Sequence, residues 1–76
     1  MKIKVFTIQR KLFLIEALEL TDDFFVIENP TLEERLDCLI AVKVVYNDKE
    51  YFIQKTDIWM QDNLTKLYLY IKKHSI

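Results

Sequence analysis

The chain has no glycine in 76 residues, where about 7% is usual, and that absence constrains its fold more than any motif it contains. Glycine is the default wherever the backbone must turn through a left-handed conformation. Without it, each tight turn falls to Asn, Asp, Pro or ordinary type I geometry. The sequence offers Thr21-Asp22-Asp23, Asn29-Pro30 and Asn47-Asp48 for this purpose. The same absence excludes the two glycine-dependent phosphate cradles, the P-loop and the dinucleotide fingerprint.

Between these turns the side chains mostly alternate. Residues 2–9, KIKVFTIQ, are rich in Ile, Val, Phe and Thr and read as a strand. Residues 12–20 mix helix-favouring Leu, Glu and Ala with an alternation of Phe13, Ile15 and Ala17 against Leu12, Leu14 and Leu18. We read them as a strand, with a helix as the alternative. FFVIEN, 24–29, is a short strand. Thr31 with Glu34 then matches the capping box, in which each residue satisfies the other's orphan N–H. Leu36, Cys38, Ile40, Val42, Val44 and Tyr46 alternate without a miss, so the pattern predicts one helical turn at 31–34 followed by a strand over 36–46. Asn47-Asp48 is a tight hairpin leading to a strand over 50–60. After Asp62 or Asn63 as a cap, Leu64, Leu67, Tyr68 and Ile71 fall at helical spacing, with Lys72 and Lys73 suited to a helix C-terminus. The expectation is a mainly β single domain over 1–76, a five-stranded, strongly bent sheet closing into a small barrel, with a C-terminal α-helix at about 62–74.

So short a chain buries only about 60% of its unfolded surface, and its core is marginal. One cysteine cannot make an intramolecular disulfide, and one Cys with one His cannot supply four zinc ligands. With 51% hydrophobic residues, the expected remedy is burial against another copy or a partner. The net charge of −1 argues against a polycation that coats nucleic acid. Charge is segregated along the chain: residues 1–15 carry +4, residues 16–37 carry −7 and residues 38–76 carry +2. Such blocks are either solvated faces or a means of matching one surface to another. Lys2 and Lys4 precede no apolar leader core, and no apolar run approaches the ~18 residues of a membrane span. The expected setting is cytoplasmic, with no membrane partner.

The segment ALELTDDFFVIENPTL (17–32) resembles phage-encoded members of the Sm-like (LSm, Hfq-related) small β-barrel family, which carry a strand, a Thr-Asp turn, a strand and an Asn-Pro corner in this order. Ile53, Gln54, Lys55 and Ile58 are similar to the family's second motif, with Lys55 where that motif has Gly. Arg10-Lys11 stand at the bend where the family commonly has Gly. The resemblance covers roughly residues 3–60. It implies an SH3-like barrel, association into rings or dimers through edge strands, and RNA contacts at Asn29, Gln54 and Lys55.

Little else points to chemistry. His74 lies near the chain end and reads as a solvated tail residue. Cys38 sits on the apolar side of its alternating run and reads as a packed core thiol. Glu33 and Glu34 are adjacent, so their side chains diverge; they are candidate protein contacts, not a catalytic pair. Trp59 and the tyrosines at 46, 51, 68 and 70 read as core or interface, or as stacking groups beside Lys55 or Lys66. No enzyme and no cofactor are expected. The expected function is that of a self-associating, RNA-binding accessory protein; the alternative is an inhibitor or adaptor that docks on a host or phage protein through its acidic 16–37 region.

Overall fold

The computed structural model describes residues 1–73. Chain order is β1 (Lys2–Thr7), β2 (Leu12–Glu16), β3 (Glu19–Leu20), β4 (Phe24–Glu28), α1 (Leu32–Leu39), β5 (Ala41–Tyr46), β6 (Lys49–Gln61) and β7 (Leu64–Ile71). The strands form one antiparallel sheet in the order β2-β1-β5-β6-β7-β4-β3. The mainly β expectation holds, with seven strands in place of five. No ladder joins the two edge strands, although β2 and β3 are consecutive in the chain. Ala17 N–H donates to Met1 O (2.7 Å) on one side and Leu18 N–H to Val26 O (2.7 Å) on the other. The predicted strand over 12–20 is therefore two strands joined by a bend at Leu18, the first serving β1 and the second β4.

β6 makes the same transition in the middle of the sheet. Its first residues pair with β5, from Tyr46↔Lys49 to Lys43↔Phe52, and its remainder pairs with β7. Between Ile53↔Ile71 and Lys55↔Tyr70 the register shifts by one, leaving Gln54 as an extra residue. A bulge of this kind bends the strand and changes which residues face which side. Tyr51 and Ile53 point to the core before it, and Thr56 and Ile58 share the side of Leu69 and Leu67 after it. Were Gln54 paired in regular alternation and not bulged, Lys55 and Asp57 would take those inward places.

Both halves of the sheet contribute to one core. Ile3, Val5, Ile15 and Val44 come from one half, and Phe25, Ile27, Leu67 and Leu69 from the other, with Ile53 between them. Phe25 meets Tyr51 edge to face, ring centroids 5.2 Å apart. α1 adds Cys38, the only buried residue of that helix.

Two segments differ from expectation. Residues 64–71 are strand β7, not part of a helix at 62–74; residue 74, with the reading of His74 as a tail residue, lies outside the described residues. Leu67, Leu69 and Ile71 also alternate with Lys66, Tyr68 and Tyr70, and the aromatic and β-branched content favours a strand. Flanking strands on both sides decide the matter, because β7 pairs with β6 and with β4. Asp62 adopts φ 54° and turns the chain into β7 where a helix cap was expected. The second difference is at 36–39, expected in a strand and found in α1. The capping box is present as read: Glu34 N–H donates to Thr31 Oγ1 (3.1 Å), and Thr31 N–H donates to Glu34 Oε1 (2.7 Å). Leu, Glu and Arg carry the helix on to Leu39, so β5 starts only at Ala41.

The turns answer the missing glycine as predicted, mostly with Asx residues: Asn29, Asn47, Asp48 and Asp62 all have positive φ. Arg10 is the exception, at φ 64°. A left-handed conformation costs an ordinary residue about 1–2 kcal/mol, less for Asn. Arg10→Asn should therefore raise stability by about 0.5–1 kcal/mol, read as a higher urea midpoint at unchanged slope. Gln54→Ala should leave the midpoint nearly unchanged, whereas deleting Gln54 should lower it, because Lys55 to Ile58 keep their register with β7 while β6 loses the bulge that bends it between β5 and β7.

Candidate interaction surfaces

Three cross-strand rows make up the outer face of β4, β7 and β6. They are Phe24–Tyr70–Lys55, Val26–Tyr68–Asp57 and Glu28–Lys66–Trp59. Phe24 packs edge-on against Tyr68 (5.1 Å) and Tyr70 (5.2 Å), and Lys55 Nζ stands 4.7 Å from the centre of the Tyr70 ring. Val26 is buried beneath these rings on the outward side of the sheet. The sequence candidates thus divide. Tyr68, Tyr70 and Trp59 share a face with Lys55 and Lys66, while Tyr51 enters the core and Tyr46 packs against it. The two lysines are balanced by Asp57, 3.6 Å from Lys55 Nζ, and by Glu28 in the row with Lys66. The face is aromatic and close to neutral.

The expected RNA contacts are not gathered together. Asn29, at φ 49°, joins the end of β4 to β7: its N–H donates to Thr65 O (2.7 Å), and its Oδ1 accepts from Thr65 N–H (3.0 Å). Gln54 is the bulge residue, exposed, and Lys55 follows it opposite Tyr70. Thr65 and Tyr70 are five residues apart on β7, roughly 17 Å at the usual rise of an antiparallel strand. Asn29 therefore stands apart from Gln54 and Lys55.

The acids of α1 have partners within the fold. Glu33 and Asp37, one turn apart, accept from Lys11 Nζ at 3.2 and 2.7 Å. The hydrogen bond to Asp37, and then that to Glu33, holds the Lys11 ammonium above its ordinary pKa. Glu34 closes the capping box. α1 is further anchored by Thr56 Oγ1, which donates to Cys38 O (2.9 Å), and by Ile8 N–H, which donates to Ile40 O (2.9 Å). Cys38 is fully buried, as read, although it lies on a helix and not on a strand. Burial first, then the charges of Glu34 and Asp37, pushes its thiol from 9.0 up to about 12.

What sequence reading detected only as surplus hydrophobicity is now located. Among the described residues, twelve large apolar side chains are exposed. Leu32, Leu36 and Leu39 form a stripe on α1 turned away from the face that buries Cys38. Ile58 and Met60 lie on β6 beyond the packed core, and Leu12 and Leu14 stand on the edge strand β2. A cleft of about 620 Å³ opens beside the start of β6 and the end of β7, lined by Lys49, Tyr51, Phe52, Ile71, Lys72 and Lys73. Among the described residues, no three His, Cys, Asp or Glu side chains gather as a metal site, and no helix is long and apolar enough to cross a membrane. Comparison with protein-family models, with curated proteins and with solved structures finds no match to this chain.

The buried Cys38 thiol has a definite pH signature. Its folded pKa is raised, so its contribution to stability is intact below pH 9.0 and is lost as pH rises towards about 12. The difference in urea midpoint between the wild type and Cys38→Ala should be constant from pH 7 to 9 and shrink above pH 9. A chromogenic disulfide reagent at pH 8 should label Cys38 only on unfolding.

Proposed function

We propose that this protein is a non-enzymatic, self-associating β module of the Sm-like small-barrel kind, acting as an oligomeric accessory protein. The observation that carries this reading is the exposed apolar surface: twelve large hydrophobic side chains among the described residues. Scattered singly, exposed apolar residues are ordinary, whereas contiguous patches mark contact surfaces. Here several of them are grouped on α1, on the end of β6 and along β2. The bulged strand shared by two half-sheets, and the turn-strand-corner order of residues 20–30, support the Sm-like comparison.

RNA is the candidate ligand of this module. The support is local: Lys55 and Lys66 share an outer face with Trp59, Tyr68 and Tyr70, groups on which bases stack. Asn29 drops out of that surface, and Gln54 and Lys55 remain. The adaptor reading draws on Glu19, Asp22 and Glu28, exposed acids outside the ion pairs of the described residues. Glu33 and Glu34 fit it less well, since both already serve α1.

Sedimentation or native mass spectrometry at micromolar concentration should find an oligomer; a monomer overturns the self-association reading. Binding to U-rich and A-rich oligonucleotides should weaken as salt rises and fall at least tenfold in Lys55→Glu. If the wild type shows no salt-sensitive binding, the RNA branch is removed and self-association is left standing.

A further inference from the structure

Among the described residues, strand β2 is hydrogen-bonded on one side only, to β1. The direction of its peptide groups follows from the ladder with β1. Met1 and Ala17 exchange two hydrogen bonds (3.0 and 2.7 Å), and Thr7 N–H donates to Lys11 O (2.9 Å). Hydrogen-bonded pairs alternate along an antiparallel ladder, so the odd-numbered residues of this segment bond to β1. The peptide N–H and C=O groups of Leu12, Leu14 and Glu16 therefore point to the open edge. Edge strands usually carry a proline, a bulge or an inward charge that discourages further pairing. β2 reads Leu12-Phe13-Leu14-Ile15, with charges only at its ends, Lys11 and Glu16. Leu12 and Leu14 are more than half exposed, at 54% and 57%.

We propose that two copies of this chain pair edge to edge through β2, antiparallel about a twofold axis at Phe13. This interface rests on the self-association proposed above and gives it a partner surface. In this register, Phe13 faces Phe13 of the second copy. Leu12 and Leu14 of the second copy, and the converse, form the two flanking hydrogen-bonded pairs. The left-handed Arg10, outside β2, ends the ladder just beyond the leucine pairs. Other registers do worse. Centring the axis on Leu14 sets Leu12 against Glu16. A slip of one residue turns each leucine to the wrong face. The pairing would join β6-β5-β1-β2 of both copies into one eight-stranded sheet, with both open β2 edges closed. A ladder this short is smaller than a standard interface of about 1,600 Å², so the association is expected at micromolar concentration.

The test follows from the Leu12–Leu14 pairing. Native mass spectrometry and sedimentation of the full chain should find even-numbered assemblies. Leu14→Lys, an exposed substitution, should weaken association at least tenfold, while circular dichroism and the thermal midpoint show the fold retained. The double variant Leu12→Glu with Leu14→Lys should restore association, because each Glu at 12 would then meet a Lys at 14. An oligomer that Leu14→Lys leaves intact overturns this interface and leaves self-association standing through another surface. Failure of the double variant to recover, or an odd-numbered ring, also overturns the twofold pairing. A wild-type monomer overturns the interface and the self-association reading together.

Discussion

β6 belongs to both halves of the sheet, and its single extra residue, Gln54, is what allows it to do so. Five residues before the bulge and seven after it must serve different partners while keeping apolar side chains on one continuous interior. A period-two strand cannot bend sharply and keep this match unless a residue is inserted. The core that joins Val5 and Val44 to Phe25 and Leu69 depends on that insertion. Because Gln54 is left out of the ladder and not paired in it, Lys55, Asp57 and Trp59 take their places on the outer face in rows with Tyr70, Tyr68 and Lys66. The same residue that organises the interior thus selects which side chains the surface presents.

The glycine-free turns bear a related cost. Four of the five positive-φ positions are Asn or Asp, whose short polar side chains tolerate the left-handed region best after glycine. Asn29 puts its side chain to further use by accepting from Thr65, which holds the end of β4 against β7. A residue first attractive as a ligand contact is therefore a structural corner. Glu33 and Glu34 have a similar history, since one pairs with Lys11 and the other closes the capping box. An eight-residue helix is too short to persist alone. Its acids and its buried Cys38 are what attach it to the sheet.

That attachment leaves a division of labour on the surface. α1 buries one residue and turns its leucines outward, and β2 offers both an unpaired backbone edge and two exposed leucines. A domain of this size has too little interior for all its apolar residues. The excess therefore collects where the sheet ends and on the element that lies across it. This is the physical link between the composition of the chain and its proposed habit of self-association.

Much of the local structure was legible in the sequence because it rests on neighbours: the Thr31–Glu34 capping box, the Asn47-Asp48 hairpin, and the alternation that marks β1, β2, β4 and most of β6. The burial of Cys38 and the surplus of apolar residues were legible too. Residues 64–71 and 36–39 carried both a helical and a two-residue period, and no local signal chooses between them. β7 is a strand because β4 and β6 satisfy its peptide groups on both sides, and Leu36 to Leu39 are helical because the chain needs Cys38 in the core and no strand is there to pair with them. The sequence by itself determined the composition of the turns, the mainly β character and the surplus of apolar residues. Strand order, the Gln54 bulge, the aromatic rows and the open β2 edge were decided only by tertiary structure, because each depends on pairing between residues far apart in the chain.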